Sequence, residues 1–278
     1  MNLLDALLLG IVEGLTEFLP VSSTGHLTIT EKLLGLQVDD PGVTAFTAII
    51  QVGAIAAVLL YFWRDIVALA AAWFRGLTRP AERQNNDYRL AWGVILGSIP
   101  IGIVGFALRA YISGPLRNLW VVTAALVIWS AFMYAAERVG RQTRNEQDLR
   151  LSDALVIGLV QCIALIPGVS RSGATISAGL FRGLDRVAAT RIAFFLSIPA
   201  LVAAGLYEAL TATAEISSSV GWVPTAVATL VSFVVAYASI AWLLQLVAHH
   251  SITIFIGYRL LLAAALAIAL GTGALSAT

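Results

Sequence analysis

Long uncharged, apolar stretches alternate along the chain with short polar segments. A transmembrane helix needs about 20 mostly apolar residues, and several stretches come near that length. They cover residues 43–63, 90–108, 118–136, 192–207, 221–248 and 255–275. The pattern predicts an all-α, polytopic membrane protein with six transmembrane helices. Arg259 falls near the start of the last stretch, from which its long side chain is expected to reach the membrane interface.

Two further apolar segments are interrupted near their middle. Residues 3–36 contain a Pro-Val-Ser-Ser-Thr-Gly cluster at 20–25, and residues 154–181 contain Pro-Gly-Val-Ser-Arg-Ser-Gly at 167–173. Each half is too short to cross a bilayer, and non-helical backbone at membrane depth must be buried in protein or line a cavity. The pattern therefore predicts two re-entrant helical hairpins.

The composition is that of a membrane protein. Of the 278 residues, 59% are hydrophobic and only 12% are charged, whereas an ordinary soluble domain carries about 25% charged residues. This excludes a soluble globule. The formal net charge of +1 provides no field that would attract nucleic acid. We therefore expect membrane lipids, and no nucleic acid, as partners.

The arginines orient the predicted spans. Five lie between residues 64 and 89, and four lie between residues 138 and 150. Because two predicted spans separate these groups, both lie on one side of the membrane, which the positive-inside rule makes cytoplasmic. Tracing the chain back places the first hairpin on the outer side, whereas the second hairpin starts from the cytoplasmic side. The hairpins are expected to enter from opposite faces.

The two hairpin segments resemble each other. A shift of 148 residues aligns residues 6–26 with residues 154–174, and the matched positions include Ser and Gly. Each half then holds one hairpin and three spans, which predicts a single membrane domain, 1–278, built from repeats 1–138 and 154–278. An odd number of crossings per repeat inverts the second half. Inverted repeats are common in transporters and place the ligand where the broken helices meet.

Glu13 and Glu17 are four residues apart and therefore share one face of the first hairpin helix. Carboxylates inside an apolar segment are costly unless they are paired or bind a cation. Hard cations such as Mg²⁺ prefer carboxylate oxygens, so the pair is a candidate metal site. The alternative is a helix at the membrane interface, with both carboxylates in water.

Hydroxyl side chains cluster at both breaks. The set comprises Ser22, Ser23, Thr24, Ser170, Ser172 and Thr175. Free backbone N–H groups and the positive end of the helix dipole favour phosphate at helix N-termini, so these residues are candidates for binding one anion between two such termini. The alternative is that they are ordinary caps and close-packing residues.

Three other polar residues are candidates. Arg171 lies in the second break, where its guanidinium could grip a phosphate with two nitrogens; otherwise it is an interface anchor or an ion-pair partner of a carboxylate. His26 could act as acid, base or nucleophile near neutral pH, or only bond to a neighbour at a helix start. Gln51, in the middle of a span, either binds substrate or bridges helices.

Two motifs closely resemble those of a known family. The first is Glu-Gly-Leu-Thr-Glu-Phe-Leu-Pro-Val-Ser-Ser-Thr-Gly-His at 13–26, and the second is Pro-Gly-Val-Ser-Arg-Ser-Gly-Ala-Thr-Ile-Ser at 167–177. With Ile-Gln-Val-Gly at 50–53, they are similar to the bacitracin-resistance type undecaprenyl-diphosphate phosphatases. The resemblance implies removal of the terminal phosphate from a C55 isoprenyl diphosphate at the outer (periplasmic) face of the bacterial inner membrane. That reaction recycles the lipid carrier for peptidoglycan synthesis, and the family is associated with bacitracin resistance.

The resemblance also implies roles by motif position. Glu13 and Glu17 correspond to an acidic pair, which we expect to hold Mg²⁺ or Ca²⁺, and Arg171 to the arginine that would clamp phosphate. The nucleophile stays open: His26 or Ser23 attacks directly, or Glu17 activates water. A lipid flippase or transporter with the same inverted-repeat fold is the alternative function. The sequence does not fix the oligomeric state and leaves a homodimer open.

Overall fold

The computed structural model of the chain describes residues 1–38, 40–112, 116–211, 216 and 220–277. The architecture is helical, and the helices are numbered here in chain order. They are α1 (Leu3–Thr16), α2 (Ser23–Leu33), α3 (Pro41–Tyr61), α4 (Trp63–Thr78), α5 (Asn86–Ala107), α6 (Arg109–Ile112), α7 (Leu119–Val139), α8 (Leu151–Gln161), α9 (Arg171–Phe181), α10 (Arg186–Thr211), α11 (Trp222–His249) and α12 (Ile254–Gly271).

In the described part of the chain, six helices are long and apolar enough to cross a membrane: α3, α5, α7, α10 as far as Tyr207, α11 and α12. Their mean hydropathy lies between 1.9 and 2.2. The chain is therefore a multi-pass membrane protein, and the prediction of an all-α protein with six spans is confirmed. Some helices start earlier than the apolar runs because polar capping residues precede them. Asn85, for example, caps α5 with its side chain.

Both interrupted segments break where the sequence predicts. Residues 17–22 separate α1 from α2, and the second segment continues from α8 through a 3₁₀ turn at Cys162–Leu165 to α9. Ser22 and Ser170 directly precede α2 and α9, with left-handed φ angles of 79° and 78°. In each case the serine hydroxyl accepts a hydrogen bond from the backbone N–H three residues later. The two breaks are thus built alike.

Small residues let the interrupted helices pack closely against the spans. A Cβ atom added to Gly158 in α8 would lie 2.0 Å from the carbonyl oxygen of Gly97 in α5. A Cβ atom added to Gly14 in α1 would lie 2.7 Å from the carbonyl oxygen of Ser232 in α11. Close backbone contact of this kind provides the van der Waals energy that holds helices together in lipid.

Arg259 does not reach the interface, so that prediction is wrong. The side chain is fully buried. Its Nη1 donates to the carbonyl of Pro20 at 3.1 Å, and its Nη2 donates to the carbonyl of Gly168 at 3.0 Å. Its Nε donates to the Ser130 hydroxyl at 3.1 Å. A helix break leaves carbonyls without intrahelical donors, and a buried guanidinium supplies donors to both breaks at once.

A second buried ionic group lies where α8 begins. The Asp153 carboxylate is fully buried and accepts from Arg144 Nη2 at 2.6 Å and from Arg182 Nε at 2.7 Å. It also accepts the backbone N–H of Arg150 at 3.0 Å. These contacts fasten the start of α8 to the end of α9 and so close the second interrupted segment on itself.

Candidate active site

The two helix breaks are in direct contact. The Ser172 hydroxyl donates to the carbonyl of Leu19 at 2.9 Å, and the Ser170 hydroxyl donates to the same carbonyl at 3.4 Å. In return, the Ser22 hydroxyl accepts the backbone N–H of Gly168 at 3.1 Å. Each break therefore satisfies polar groups of the other, and the N-termini of α2 and α9 are held side by side.

Glu17 and Arg171 form an ion pair across this junction. Arg171 Nη2 donates to Glu17 Oε1, and the Ser23 hydroxyl donates to Glu17 Oε2 at 2.5 Å. The Glu17 side chain is almost completely buried, whereas 20% of the Arg171 side chain is exposed. The structure thus brings three of the predicted catalytic residues together and leaves the guanidinium partly open for a ligand.

A cavity of about 290 Å³ opens at this ion pair. We call it the Arg171 cavity. Its polar lining consists of side chains from both breaks together with two residues from elsewhere: Glu17, Ser22, Ser23, Thr24, Ser170, Arg171, Gln51 and Arg117. Its apolar lining consists of Ile101, Ile112, Ala164, Leu165 and Pro167. This mixed lining suits a ligand that has both a polar head and an apolar tail.

A second, polar cavity of about 190 Å³ shares part of this wall. We call it the Glu13 cavity, and its other carboxylate is Glu31. Both carboxylates are buried. Gln51 and Arg117 line this cavity as well as the Arg171 cavity. Gln51 therefore faces both cavities, and its predicted binding role stays a prediction.

The carboxylates at the two cavities fit a divalent cation whose remaining ligands would be oxygens of the substrate. Glu13 Oε1 is buried and has no hydrogen-bond partner, which leaves it available to a cation. Both oxygens of Glu17 already accept hydrogen bonds. Among the described residues, no three His, Cys, Asp or Glu side chains form a group that could hold a metal ion. Mg²⁺ commonly uses only one or two carboxylates together with water and substrate phosphate, so a sparse protein donor set is sufficient.

His26 lines neither cavity. Its Nδ1 lies 2.7 Å from the Ser22 carbonyl oxygen, and its Nε2 lies 2.6 Å from the Tyr258 hydroxyl. Since a carbonyl only accepts, Nδ1 carries the proton of the neutral ring and Nε2 accepts from the phenol. In this arrangement His26 holds the first break against α12. Its predicted catalytic role stays a prediction.

Two of the predicted binding residues are also directed into the protein. The Thr175 hydroxyl donates to the Arg171 carbonyl at 2.8 Å, and Ser172 bonds to Leu19 as described above. Neither residue lines the Arg171 cavity. Their contacts fix the start of α9 and thereby the direction of the Arg171 side chain.

Sequence reasoning missed the roles of two arginines: Arg117 lines the site, and Arg259 supports the two helix breaks. Arg259 was visible as a single charge in an apolar run, and this signal favours a buried role as much as an interfacial one. Arg117 directly precedes a predicted span and looks like any interface arginine. Only the folded chain places it in the wall of both cavities.

Comparisons with known proteins find matches that extend along almost the whole chain. The sequence model described as "Bacitracin resistance protein BacA" matches residues 6–265. Undecaprenyl-diphosphatase 3 of Frankia casuarinae is 61% identical over 278 residues and covers 100% of both chains. Undecaprenyl-diphosphatase of Cutibacterium acnes is 55% identical over 93% of this chain and 94% of its own. Undecaprenyl-diphosphatase 1 of Streptomyces avermitilis is 55% identical over 99% of both chains.

Proposed function

This chain belongs to the bacitracin resistance protein BacA family, and we propose that it hydrolyses undecaprenyl diphosphate to the monophosphate and inorganic phosphate. Relatives that match over nearly their full length carry the name undecaprenyl-diphosphatase, which supports the same activity here. The reaction would return the lipid carrier to peptidoglycan synthesis.

The observation that carries this proposal is the contact of Glu17 with Arg171 in a cavity lined by both polar and apolar side chains. A buried ion pair is expensive to build and is weak evidence for stability. Its position in the cavity wall, beside two helix N-termini, is suited to a diphosphate. The apolar side chains of the lining are suited to the first isoprene units of the lipid.

Arg171 and the N-terminus of α9 would stabilise charge on the transferred phosphoryl group. A guanidinium donates two parallel hydrogen bonds to phosphate oxygens. Because Arg171 uses Nη2 for Glu17, its other nitrogens can donate to a ligand in the cavity. Donors placed in advance where charge develops give electrostatic stabilisation of the transition state.

Glu17 would act as the base. Ser23 already donates to Glu17 Oε2 at 2.5 Å, so the carboxylate can take the proton as Ser23 Oγ attacks the terminal phosphorus. The bond from that phosphorus to the bridging oxygen breaks, and the lipid monophosphate leaves. Water would then hydrolyse the phosphoserine. The hydrogen bond of Ser23 to Glu17 supports this route over attack by His26, which lines neither cavity, while direct attack by water activated at Glu17 remains the alternative.

A divalent cation, Mg²⁺ or Ca²⁺, would neutralise part of the diphosphate charge when bound. Glu13 is suited to hold it because its buried Oε1 has no partner. Glu17 lies one helical turn further along the chain, and each of its oxygens, which accepts one hydrogen bond, keeps a lone pair that could also bind the cation.

We also propose that the two interrupted segments are re-entrant hairpins entering from opposite faces, as halves of an inverted repeat. The matching left-handed serines and caps at the two breaks support this arrangement. In this topology the site opens to the periplasmic side of the bacterial inner membrane. The alternative of a flippase or transporter has no support in the names of the relatives.

The experiment is phosphate release from undecaprenyl diphosphate by protein purified in detergent, with and without divalent cation. Micelles have no two sides, so only an enzyme produces a signal. We expect release of inorganic phosphate that a chelator abolishes. If the protein releases none, yet moves undecaprenyl lipid across the bilayer of reconstituted vesicles, the phosphatase proposal is wrong and the transporter is right.

A further inference from the structure

Arg117 precedes α7 and is held in place by contacts with the segment before α3 and with α3 itself. Its Nη1 donates to the carbonyl of Val38 at 3.3 Å and to the hydroxyl of Thr44 at 3.2 Å. Its Nε and Nη2 donate to no described residue. One nitrogen therefore fixes the guanidinium, and the remaining donors of the planar group stay available.

The side chain lines the Arg171 cavity, so two guanidinium groups share one space. Their electrostatic situations differ. Arg171 is paired with the buried carboxylate of Glu17, whereas no carboxylate of the described residues lies within ion-pair distance of Arg117. The buried carboxylate of Glu31, which lines the Glu13 cavity together with Arg117, interacts with this charge without a direct ion pair. The Nε and Nη2 donors of Arg117 therefore stay available in the wall of a cavity that we assign to an anion.

A diphosphate offers two phosphate groups, and each can accept a forked pair of hydrogen bonds from one guanidinium. We propose that Arg117 is the second phosphate clamp: it binds the phosphate that Arg171 does not hold. This inference rests on the proposed function. Because Arg171 is assigned to the terminal phosphate, Arg117 holds the phosphate that is attached to the lipid. The consequence is selectivity, since the diphosphate engages both arginines and the monophosphate product engages only Arg117. The product therefore binds more weakly and leaves.

The test compares two lipids on purified protein in detergent. One is the non-hydrolysable undecaprenyl methylenediphosphonate, and the other is undecaprenyl monophosphate. In Arg117→Gln we expect the affinity for both lipids to fall about tenfold or more, because the lipid-attached phosphate, which both lipids carry, loses a charged hydrogen-bonding partner. In Arg171→Gln we expect only the affinity for the diphosphonate to fall about tenfold or more, while the affinity for the monophosphate changes less than about twofold. The KM for undecaprenyl diphosphate should rise with little change in kcat.

Two further variants control the experiment. Arg109→Gln removes a neighbouring arginine that lines neither cavity and should leave both affinities unchanged. Arg117→Lys keeps the positive charge but lacks the planar fork of the guanidinium, so its loss of affinity should be intermediate. A graded loss of this kind also separates weaker binding from a failure to fold. No loss for either lipid in Arg117→Gln, or a loss for the diphosphonate alone, would overturn the inference. A wild-type protein that binds the diphosphonate but releases no phosphate would instead overturn the proposed function.

Discussion

The Arg171 guanidinium donates to the Glu17 carboxylate although 154 positions separate the two residues in the sequence. Each residue lies beside one of the two helix breaks, so the ion pair forms only when both interrupted segments are folded against each other. The hydrogen bonds between the breaks, from Ser172 to Leu19 and from Gly168 to Ser22, hold that arrangement. The candidate site is therefore a product of long-range folding.

Replacing Arg171 tests the phosphate clamp. We expect Arg171→Ala to lower kcat for phosphate release at least about 100-fold, since preorganised donors to a developing oxyanion contribute on that order. Arg171→Lys should recover only part of the rate because an ammonium lacks the planar fork. Near-normal release by folded Arg171→Ala would remove Arg171 from the chemistry.

Arg259 is predicted to be a structural anchor of both breaks. Arg259→Leu leaves the carbonyls of Pro20 and Gly168 without this donor, and an unsatisfied buried polar group costs about 1–3 kcal/mol. We expect a clear fall in the Tm of the detergent-solubilised protein. The exposed Arg64→Gln serves as a control and should leave the Tm unchanged. An unaltered Tm in Arg259→Leu would show that these hydrogen bonds contribute nothing to stability.

Two glycines in α5 provide a matched test of helix packing. A Cβ atom on Gly97 would lie 2.5 Å from Leu196 Cδ2 and 2.7 Å from the carbonyl oxygen of Ala154, whereas a Cβ atom on Gly102 meets nothing within 4 Å. Gly97→Ala should destabilise the protein by about 1–3 kcal/mol through overpacking. Gly102→Ala should be neutral or slightly stabilising because alanine favours helix. Equal unfolding transitions in the two variants would contradict the packing of α5 against α8.

The buried carboxylate of Asp153 should matter for stability rather than for turnover. Asp153→Asn leaves Arg144 and Arg182 without their shared anion. Because these arginine side chains are 22% and 38% exposed, water solvates part of their charge, and we expect a cost of about 1–3 kcal/mol. The thermal stability should fall clearly, with the KM of the remaining folded enzyme unchanged. Glu82→Gln is the control, because that carboxylate is partly exposed and its contact with Arg75 is 3.9 Å long. Comparable Tm changes in both variants would argue against a special role for the buried group.

Hydropathy and local chemistry were sufficient to predict the spans and both breaks. Uncharged runs of about 20 residues have few alternatives in a bilayer, and interruptions that combine Pro with Ser and Gly disfavour a continuous helix. Such local patterns do not show where a side chain points. Arg259 was expected at the interface and is buried, because the breaks created acceptors that only the fold brings near it. The position of Arg117 in the cavity wall and the hydrogen bond of His26 to Tyr258 likewise depend on contacts between segments that are distant in the sequence.

Phosphate release from undecaprenyl diphosphate by Glu17→Gln, compared with the wild type, tests the central claim most directly. The substitution keeps the shape of the side chain and removes the charge that pairs with Arg171 and accepts from Ser23. With Glu82→Gln as the control, we expect a loss of at least about 100-fold in kcat for Glu17→Gln alone. A folded Glu17→Gln protein that releases phosphate at the wild-type rate would contradict the account.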